Sequence, residues 1–269
     1  MVGKNRSFET VLVDQTCGYY DKLQSRLRFL ELENPTLAEL DFLLQNGFRR
    51  TGYYYYTTEC KNCYQCLSLR VNLHALEFTK SQKRNLKENS DLRFFFQSPE
   101  PTDEKLEIYL RYIQKIHGNK KVPFGEREYK EETENDLTNT FHFQLYTNPK
   151  SSLELQVFEG EKLVSFGIYD VGKNNVSAVY QVYDPDHRKR GLGIYNILIS
   201  ELEFQKLGYA FYHLGYYLPG HSRMDYKIQF GSSEIKAPKR NDWEKKDVAI
   251  SKLEKENSIF YEFPEGFAQ

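Results

Sequence analysis

Between Leu153 and Gly193 the chain runs LELQVFEGEKLVSFGIYDVGKNNVSAVYQVYDPDHRKRGLG. Most of this segment alternates apolar and polar residues, and two glycine-containing turns divide the alternation into three blocks. A period of two broken by short turns predicts an antiparallel meander with strands over 153–159, 162–171 and 176–183. A long apolar pattern follows the last glycines and stops at Gly208. It predicts a helix that begins after a glycine-containing loop.

Outside the meander, shorter signals predict the other elements. Thr36-x-x-Glu39 is a capping box that starts a helix ending at Gly47. Strands are expected at 48–57, 67–73, 92–96 and 209–214, and helices at 79–87, 106–116 and 126–136. Two prolines within 98–102 predict a boundary, because they break any regular element. The sequence therefore predicts an α+β protein with an N-terminal cysteine-containing module (1–100), a domain with a mixed, mainly antiparallel sheet (101–235) and a C-terminal extension (236–269).

The composition limits the partners and the compartment. The 269 residues include 37 Lys and Arg against 38 Asp and Glu, so any nucleic-acid contact must come from a local basic patch. No run of about 18 apolar residues occurs, and the first residues have no apolar core, which predicts neither a membrane span nor a secretory signal. We therefore expect a cytoplasmic protein that makes no membrane contact.

Four cysteines lie in the first quarter of the chain and are the best local clue to chemistry. They are Cys17, Cys60, Cys63 and Cys66, the last three spaced two residues apart. Thiolates at this spacing can face one centre, and four of them would complete a Zn²⁺ site or hold an iron–sulfur cluster. The alternative is a group of small side chains buried for packing. We expect the four thiols to converge in space.

A short basic helix is the best candidate for a nucleic-acid contact. Lys80, Lys83, Arg84 and Lys87 fall at spacings of three and four, which places them on one helical face. A solvated helix face would look the same. If the face is functional, we expect it to contact phosphates together with Lys189 and Arg190.

The meander, glycine loop, helix and following strand have the order of elements of the GNAT acyltransferase fold. Arg188-x-x-Gly191-x-Gly193 resembles the pyrophosphate loop of that fold, where backbone amides at a helix start face an anion. This resemblance implies a GNAT-like domain. An ordinary acetyl-CoA-dependent acetyltransferase therefore stays open, although such an enzyme would not need the cysteine module.

A more specific resemblance spans residues 17 to 235. Gly47-Phe-Arg-Arg-Thr-Gly52, the cysteine loop, Arg70 and Ser81-Gln-Lys-Arg84 resemble the N-terminal module of aminoacyl-tRNA protein transferases. The motifs that resemble their catalytic half are Val179-Tyr-x-x-Tyr-Asp-Pro-Asp186, Leu192-Gly-x-Tyr195, Leu214-Gly-Tyr216 and Met224-x-Tyr-Lys227. The chain is most similar to the short bacterial branch, the aspartate/glutamate leucyltransferases.

The resemblance implies that an amino acid moves from its tRNA ester to the α-amino group of a protein with an N-terminal Asp or Glu, which creates an N-degron. No cofactor is implied for the chemistry beyond the aminoacyl-tRNA. Leucyl-tRNA is the expected donor and arginyl-tRNA the alternative. We expect Asp184 to orient the amine or relay its proton, with Tyr180 and Gln181 as polar neighbours. Asp184-Pro185 is also a common way to open a turn.

An acidic acceptor needs cationic side chains at the site, because a buried unpaired carboxylate costs several kcal/mol, roughly. The candidates are Arg49, Arg50, Arg70 and Lys227, each in a motif shared with the family. Any of them could instead pair with a neighbouring acid and hold the fold.

Other functional readings are weaker. The six histidines show no H-E-x-x-H spacing and no nucleophile elbow, which argues against a zinc protease or a hydrolytic triad. His187 and His221 lie in loops near the expected site and could contact substrate. A metal-stabilised RNA-binding protein without catalysis is the alternative from another class, favoured by the basic helix and the aromatic residues.

Overall fold

The computed structural model describes residues 8–61, 63–117, 126–127 and 132–256, which form two β-sheets and six α-helices. The strands are β1 (Val11–Thr16), β2 (Gln24–Glu31), β3 (Arg49–Thr51), β4 (Tyr54–Thr58), β5 (Leu67–Asn72), β6 (Arg93–Gln97), β7 (Ser152–Glu159), β8 (Lys162–Val171), β9 (Asn175–Tyr183), β10 (Phe211–Tyr217), β11 (Ser233–Lys236) and β12 (Glu244–Lys245). The helices are α1 (Leu37–Gln45), α2 (Lys80–Glu88), α3 (Asp103–Tyr112), α4 (Glu134–Tyr146), α5 (Leu192–Lys206) and α6 (Lys246–Lys255).

A small antiparallel sheet, in the order β1-β2-β4-β3, packs against α1. The expected capping box starts this helix: the Glu39 N–H donates to Thr36 Oγ1 (3.2 Å), and the Thr36 N–H donates to Glu39 Oε2 (2.7 Å). Leu40 and Leu43 of the helix are fully buried against the sheet. Capping and apolar spacing together therefore dock α1 against the small sheet.

The large sheet has eight strands in the order β12-β11-β5-β10-β9-β8-β7-β6. Strands β9 and β10 are parallel, and every other neighbouring pair is antiparallel. The meander β7-β8-β9, then α5, then β10 reproduces the GNAT order of elements, so the predicted α+β fold with a mixed, mainly antiparallel sheet is confirmed. Strands β5 and β6 also belong to this sheet, so residues on both sides of 98–102 share it.

Helices cover both faces of the large sheet. Helix α5 buries Leu198 and Phe204 in a core shared with β5, β9 and β10. On the other face, Ile108 of α3 and Phe141 of α4 pack against Phe166 of β8. With both faces covered, the strand ends and the gaps between strands are the places where the sheet can offer a site.

Strands β9 and β10 separate partway along their length. They pair only over Asn175–Ser177 and Phe211–His213, and the register of β10 is irregular between His213 and Gly215. Gly215 has a φ of 89°, a backbone conformation that favours glycine. Beyond this point the two strands diverge and leave a wedge between them.

Candidate active site

A cleft of about 530 Å³ lies at the wedge between β9 and β10. Strand β9, strand β3, the Gly18-Tyr19 segment and the turn after β10 surround it. Its lining residues include Tyr19, Arg49, Tyr180, Gln181, Leu214, His221, Arg223, Met224, Tyr226 and Lys227. The N-terminal and C-terminal family motifs therefore meet at one cavity.

The cleft is cationic. Three of its lining side chains are Arg49, Arg223 and Lys227, and no Asp or Glu of the described residues lines it. Arg49 reaches both sides of the wedge: its Nη1 donates to Ser177 Oγ (2.7 Å) and its Nη2 to the Ala178 carbonyl on β9, and its guanidinium lies close to Gly215 of β10. An anionic group that enters the cleft would thus meet positive charge without a competing carboxylate.

Lys227 has an unusual electrostatic position. Its Nζ donates to the Tyr216 carbonyl at 3.0 Å. Burial of the ammonium group, reinforced by the positive charge of Arg49, lowers the pKa of Lys227 to about 7. Both effects disfavour the charged form. Near neutral pH this amine can therefore either donate or accept a proton.

Tyr180 and Gln181, two of the expected catalytic residues, do line the cleft. The Gln181 amide donates to the hydroxyls of Tyr169 (3.1 Å) and Tyr212 (3.2 Å), both fully buried in the sheet core. Ser200 of α5 donates to the same Tyr169 hydroxyl at 2.8 Å. This network fixes the orientation of the Gln181 amide at the cleft wall.

Asp184, the third expected catalytic residue, does not line the cleft. It is fully buried, caps the turn at Pro185–Arg190 and accepts hydrogen bonds from Lys162 (2.9 Å) and Arg111. Burial alone would raise the pKa of Asp184, but the bonds from Lys162 and the Asp186 amide and the charge of Arg111 lower it overall. These contacts support the turn-opening alternative. An orienting role would have to act from outside the cleft and stays a prediction.

Arg50 and Arg70, two candidates for binding the acceptor, are already paired with carboxylates. Arg50 Nε contacts both oxygens of Asp170, at 2.9 and 2.8 Å, and both side chains are almost fully buried. Arg70 donates twice to Glu234, at 2.8 and 2.6 Å. The Arg70 guanidinium also lies over the Trp243 ring, 4.3 Å from its centroid. These contacts support the fold-holding alternative for both arginines.

A second cavity, of about 960 Å³, adjoins the cleft and contains the cysteine loop. Gly18, Tyr19 and Tyr180 line both cavities. The walls of the second cavity include the thiols of Cys17, Cys60, Cys63 and Cys66. All four cysteines therefore line one cavity.

The thiols do not form a ready metal centre. No group of three or more His, Cys, Asp or Glu residues within the described ranges has an arrangement that could hold a metal ion. Cys60 Sγ instead accepts from the Arg26 amide at 3.4 Å, and Cys17 Sγ accepts from the Tyr19 amide at 3.4 Å. Burial raises the pKa of Cys63 and of Cys66. We derive no step through zinc or an iron–sulfur cluster, and a metal at these four cysteines stays a prediction.

The geometry agrees with what comparisons with known proteins find. Two family models match: "Arginine-tRNA-protein transferase, N terminus" over residues 15–84 and "Arginine-tRNA-protein transferase, C terminus" over residues 104–237. An aspartate/glutamate leucyltransferase of Leptospira interrogans is 36% identical over 230 residues, which cover 85% of this chain and 86% of the relative. The chain belongs to the arginine-tRNA-protein transferase family. The predicted membership is confirmed, and the protein is a transferase.

Other relatives of this transferase extend the comparison. An aspartate/glutamate leucyltransferase of Acinetobacter baumannii is 30% identical over 226 residues, covering 81% of this chain and 78% of the relative. Among solved structures, a GCN5-related N-acetyltransferase from Kribbella flavida matches 65% of this chain and 55% of its own, with a TM-score of 0.33 and 15% identity. Within the described ranges, no helix of the transferase is long and apolar enough to cross a membrane.

The transferase brings its basic helix next to the glycine loop. The side-chain amides of Asn85 on α2 and of Asn89, which caps the C-terminus of that helix, donate to the Arg190 carbonyl at 3.1 and 3.0 Å. Gly191 has a φ of 64°, and a Cβ there would lie 2.9 Å from the Asn85 amide. This close approach joins two basic segments, whose exposed side chains are Lys80, Lys83, Arg84, Lys87, Arg188 and Lys189.

The other loop residues have different positions. Arg190 pairs with Asp91 (2.8 Å) and Glu159 (2.5 Å), so its charge is already neutralised. Gly193 leaves room for a side chain, since a Cβ there would lie 3.6 Å from Tyr183. His187 contacts Glu159 at 3.1 Å. The exposed cations, rather than Arg190, are thus available to phosphates.

Sequence analysis missed two residues at the cleft of this transferase. Arg223 lines the cleft, and Glu126 holds the turn that contains Arg223. Arg223 directly precedes the Met224-x-Tyr-Lys227 motif and lies two residues after His221, so its proximity to the motif could have identified it. Glu126 carries no comparable signal.

Proposed function

We propose that this transferase moves leucine from leucyl-tRNA to the α-amino group of proteins that begin with Asp or Glu. The product is an N-degron, a signal for protein degradation. The two relatives named aspartate/glutamate leucyltransferase support this assignment. The observation that carries it is the cleft, which combines three cations with no carboxylate among the described residues.

The charge of the cleft supports an acidic acceptor. A carboxylate that leaves water for a partly dry cavity needs charged donors, and the guanidinium groups of Arg49 and Arg223 supply them. A neutral N-terminal side chain would gain much less from the same site. Selection of Asp or Glu over Asn or Gln follows from this difference in affinity.

The cavity walls support leucine over arginine as the donated amino acid. An arginine side chain needs a carboxylate for its guanidinium fork. In the described part of both cavities the one carboxylate is Asp14, which is 63% exposed and already paired with Arg26 at 2.6 Å. Leu214, Met224 and Val179 instead offer the cleft an apolar wall that suits a leucine side chain.

The chemistry asks for little acid–base catalysis, because the tRNA ester is already activated. The acceptor nitrogen attacks the ester carbonyl, the carbon–oxygen bond to the tRNA ribose breaks, and the ribose hydroxyl leaves. The amine must lose a proton, and about a tenth of such amines are already neutral at pH 7. Lys227 in its neutral form would accept the proton that the attacking nitrogen loses and pass it to the departing ribose oxygen, while Gln181 and Tyr180 would position the reacting groups.

The tRNA would lie on the basic surface formed by α2 and the glycine loop. Its exposed cations are held together by the bonds from Asn85 and Asn89 to Arg190. In a chain with nearly balanced charge, such a local patch must supply the attraction to phosphates. A cytoplasmic location, where leucyl-tRNA is made, is part of this proposal.

Mass spectrometry tests the proposal directly. A peptide with N-terminal Asp is incubated with purified protein and leucyl-tRNA, arginyl-tRNA or acetyl-CoA. We expect a mass gain of one leucine residue with leucyl-tRNA alone. Transfer of arginine but not leucine would overturn the donor, and acetylation would overturn the reaction. If the peptide is modified under none of these conditions, the proposed transfer activity is wrong and the alternative of a binding protein is favoured.

A further inference from the structure

We propose that Arg223 binds the side-chain carboxylate of the acidic N-terminal residue and so sets the preference for Asp and Glu. This inference rests on the proposed function. Arg223 lines the cleft together with Lys227, which lies one turn further along the chain. The sequence candidates for this role were other cations, and the contacts below favour Arg223 over each of them.

The turn that contains Arg223 is rigidly held. Glu126, which is almost fully buried, accepts from the Ser222 amide (2.9 Å) and the Ser222 hydroxyl (2.6 Å). The Arg223 amide donates to Nδ1 of His221 at 3.2 Å. Side chains therefore satisfy two consecutive backbone N–H groups of the turn. The backbone that carries the Arg223 side chain is therefore already in place before a substrate binds, which lowers the ordering cost of binding.

His221 adds a second anchor to this turn. Its side chain is fully buried, and its Nε2 lies 3.4 Å from the Tyr19 carbonyl and 3.5 Å from Glu126. Since Nδ1 accepts from Arg223, the proton lies on Nε2, which donates toward these oxygens. Burial lowers the pKa of His221, although Glu126 opposes this shift, so the ring is neutral at pH 7. It holds Arg223 in place and does not repel it.

The guanidinium of Arg223 still has donors to offer. Its Nη2 donates to the Arg127 carbonyl at 2.9 Å, and no carboxylate of the described residues lies within 4.0 Å of the group. Glu126, the acid that holds the turn, bonds Ser222 and His221 instead. An arginine has five N–H donors in a planar fork. After the one contact with a carbonyl, two neighbouring N–H groups can still donate parallel hydrogen bonds to a carboxylate.

The other cations of the cleft are less suited to this role. Both terminal nitrogens of Arg49 already donate hydrogen bonds to β9, Nη1 to Ser177 Oγ and Nη2 to the Ala178 carbonyl. Lys227 is a point charge that is half neutral near pH 7 and therefore a poor fixed partner for an anion. Arg223 instead offers a planar guanidinium fork that matches the geometry of a carboxylate. It is the cleft cation with both the charge and the geometry to select a carboxylate.

The test compares Arg223→Gln and Arg223→Lys with the wild type on peptides that begin with Asp or Asn, using leucyl-tRNA as donor. We expect Arg223→Gln to lower kcat/KM for the Asp peptide about ten- to hundred-fold, mainly through KM, and to leave the Asn peptide nearly unchanged. Arg223→Lys should restore only part of the loss. Arg93→Gln is the matched control, because Arg93 is an exposed arginine on β6 that does not line the cleft.

Two further measurements keep the outcome clear. The melting temperature of each variant shows whether it folds, and the Kd for leucyl-tRNA shows whether Arg223 contacts the tRNA instead. An equal loss for the Asp and Asn peptides, or a loss of leucyl-tRNA binding, would overturn the inference. So would an unchanged preference for Asp in a folded Arg223→Gln variant. A wild type that transfers no leucine to either peptide would contradict the proposed function itself.

Discussion

The Arg49 guanidinium packs directly against the backbone of Gly215. A Cβ at Gly215 would lie 3.1 Å from the guanidinium carbon of Arg49, tighter than ordinary van der Waals contact. Gly215 lies where β9 and β10 separate, and Arg49 fills the start of that gap from the small sheet. The missing side chain at Gly215 therefore lets the N-terminal motif contribute a wall to the cleft.

Replacement of Gly215 by alanine should disturb this contact. The φ of 89° makes alanine strained by about 1 to 2 kcal/mol, and the new Cβ would also push Arg49 away. We expect a lower melting temperature and a fall in kcat/KM of at least about tenfold. Gly208→Ala is the control, since its φ of 86° imposes similar strain but no atom lies within 4 Å. Equal activity losses in both variants would show that only strain matters.

Asp184→Asn should act mainly on stability. The variant leaves Lys162 and Arg111 without their buried partner, at a cost of about 2 to 4 kcal/mol, because both cations are partly exposed. The folded pKa of Asp184 is below its unfolded value, so its stabilisation is present above pH 4, roughly, and is lost as the pH falls. Chemical unfolding across this pH range should show less acid dependence in the variant. A normally stable variant without transfer activity would instead restore the catalytic prediction.

Lys227→Met should change how stability depends on pH. The folded pKa of about 7 lies below the ordinary lysine pKa of 10.5, so the unfolded chain binds more protons between these limits. Stability from this group therefore rises with pH through that window, and Lys227→Met should lack the rise. Transfer activity should fall by about 10² to 10⁴ if Lys227 accepts the proton.

Lys246→Met is the comparison for Lys227. Lys246 also donates to a backbone carbonyl, that of Ile228 at 3.0 Å, but it does not line the cleft. Its replacement should leave the transfer activity near that of the wild type. Matching behaviour of the two variants would contradict a special role for Lys227.

Charge reversal on α2 should weaken tRNA binding. Lys83→Glu with Lys87→Glu removes two exposed cations from the basic surface. Each lost phosphate contact should lower the slope of log Kd against log salt by about 0.7 to 0.9. Titrations with leucyl-tRNA at several salt concentrations measure this slope. Lys150→Glu, an exposed lysine outside the surface, should bind as the wild type does. An unchanged slope in the α2 variant would show that the basic face of α2 is only exposed to solvent and does not bind tRNA.

Local signals in the sequence predicted most of the helices and strands, but they did not predict which strands pair with each other. The meander and α5 follow from alternation and glycine punctuation, and the structure confirms them. Helix α4 begins at Glu134, not near residue 126 as expected, because its capping Thr133 determines the start and the charge pattern upstream does not. The pairing of β5 with β10 and β11 joins segments far apart in sequence, which no local pattern encodes.

The same limit applies to the candidate site. The family motifs contain Tyr180, Gln181, Arg49 and Lys227, and all four residues line the cleft. They could not tell which arginines have their own carboxylate, since Asp170 and Glu234 lie more than a hundred positions away from their partners. Selecting among cations requires knowledge of which ones are already neutralised in three dimensions.

The single tryptophan of the chain makes the C-terminal extension visible to spectroscopy. Trp243 donates from its indole N–H to the Gln45 carbonyl at 2.8 Å, and its ring contacts Arg70 and His213. It therefore links the segment after residue 236 to both α1 and the large sheet. Tryptophan fluorescence of the unmodified protein therefore comes from this junction alone. The change in emission during unfolding would show when the extension separates from the large sheet.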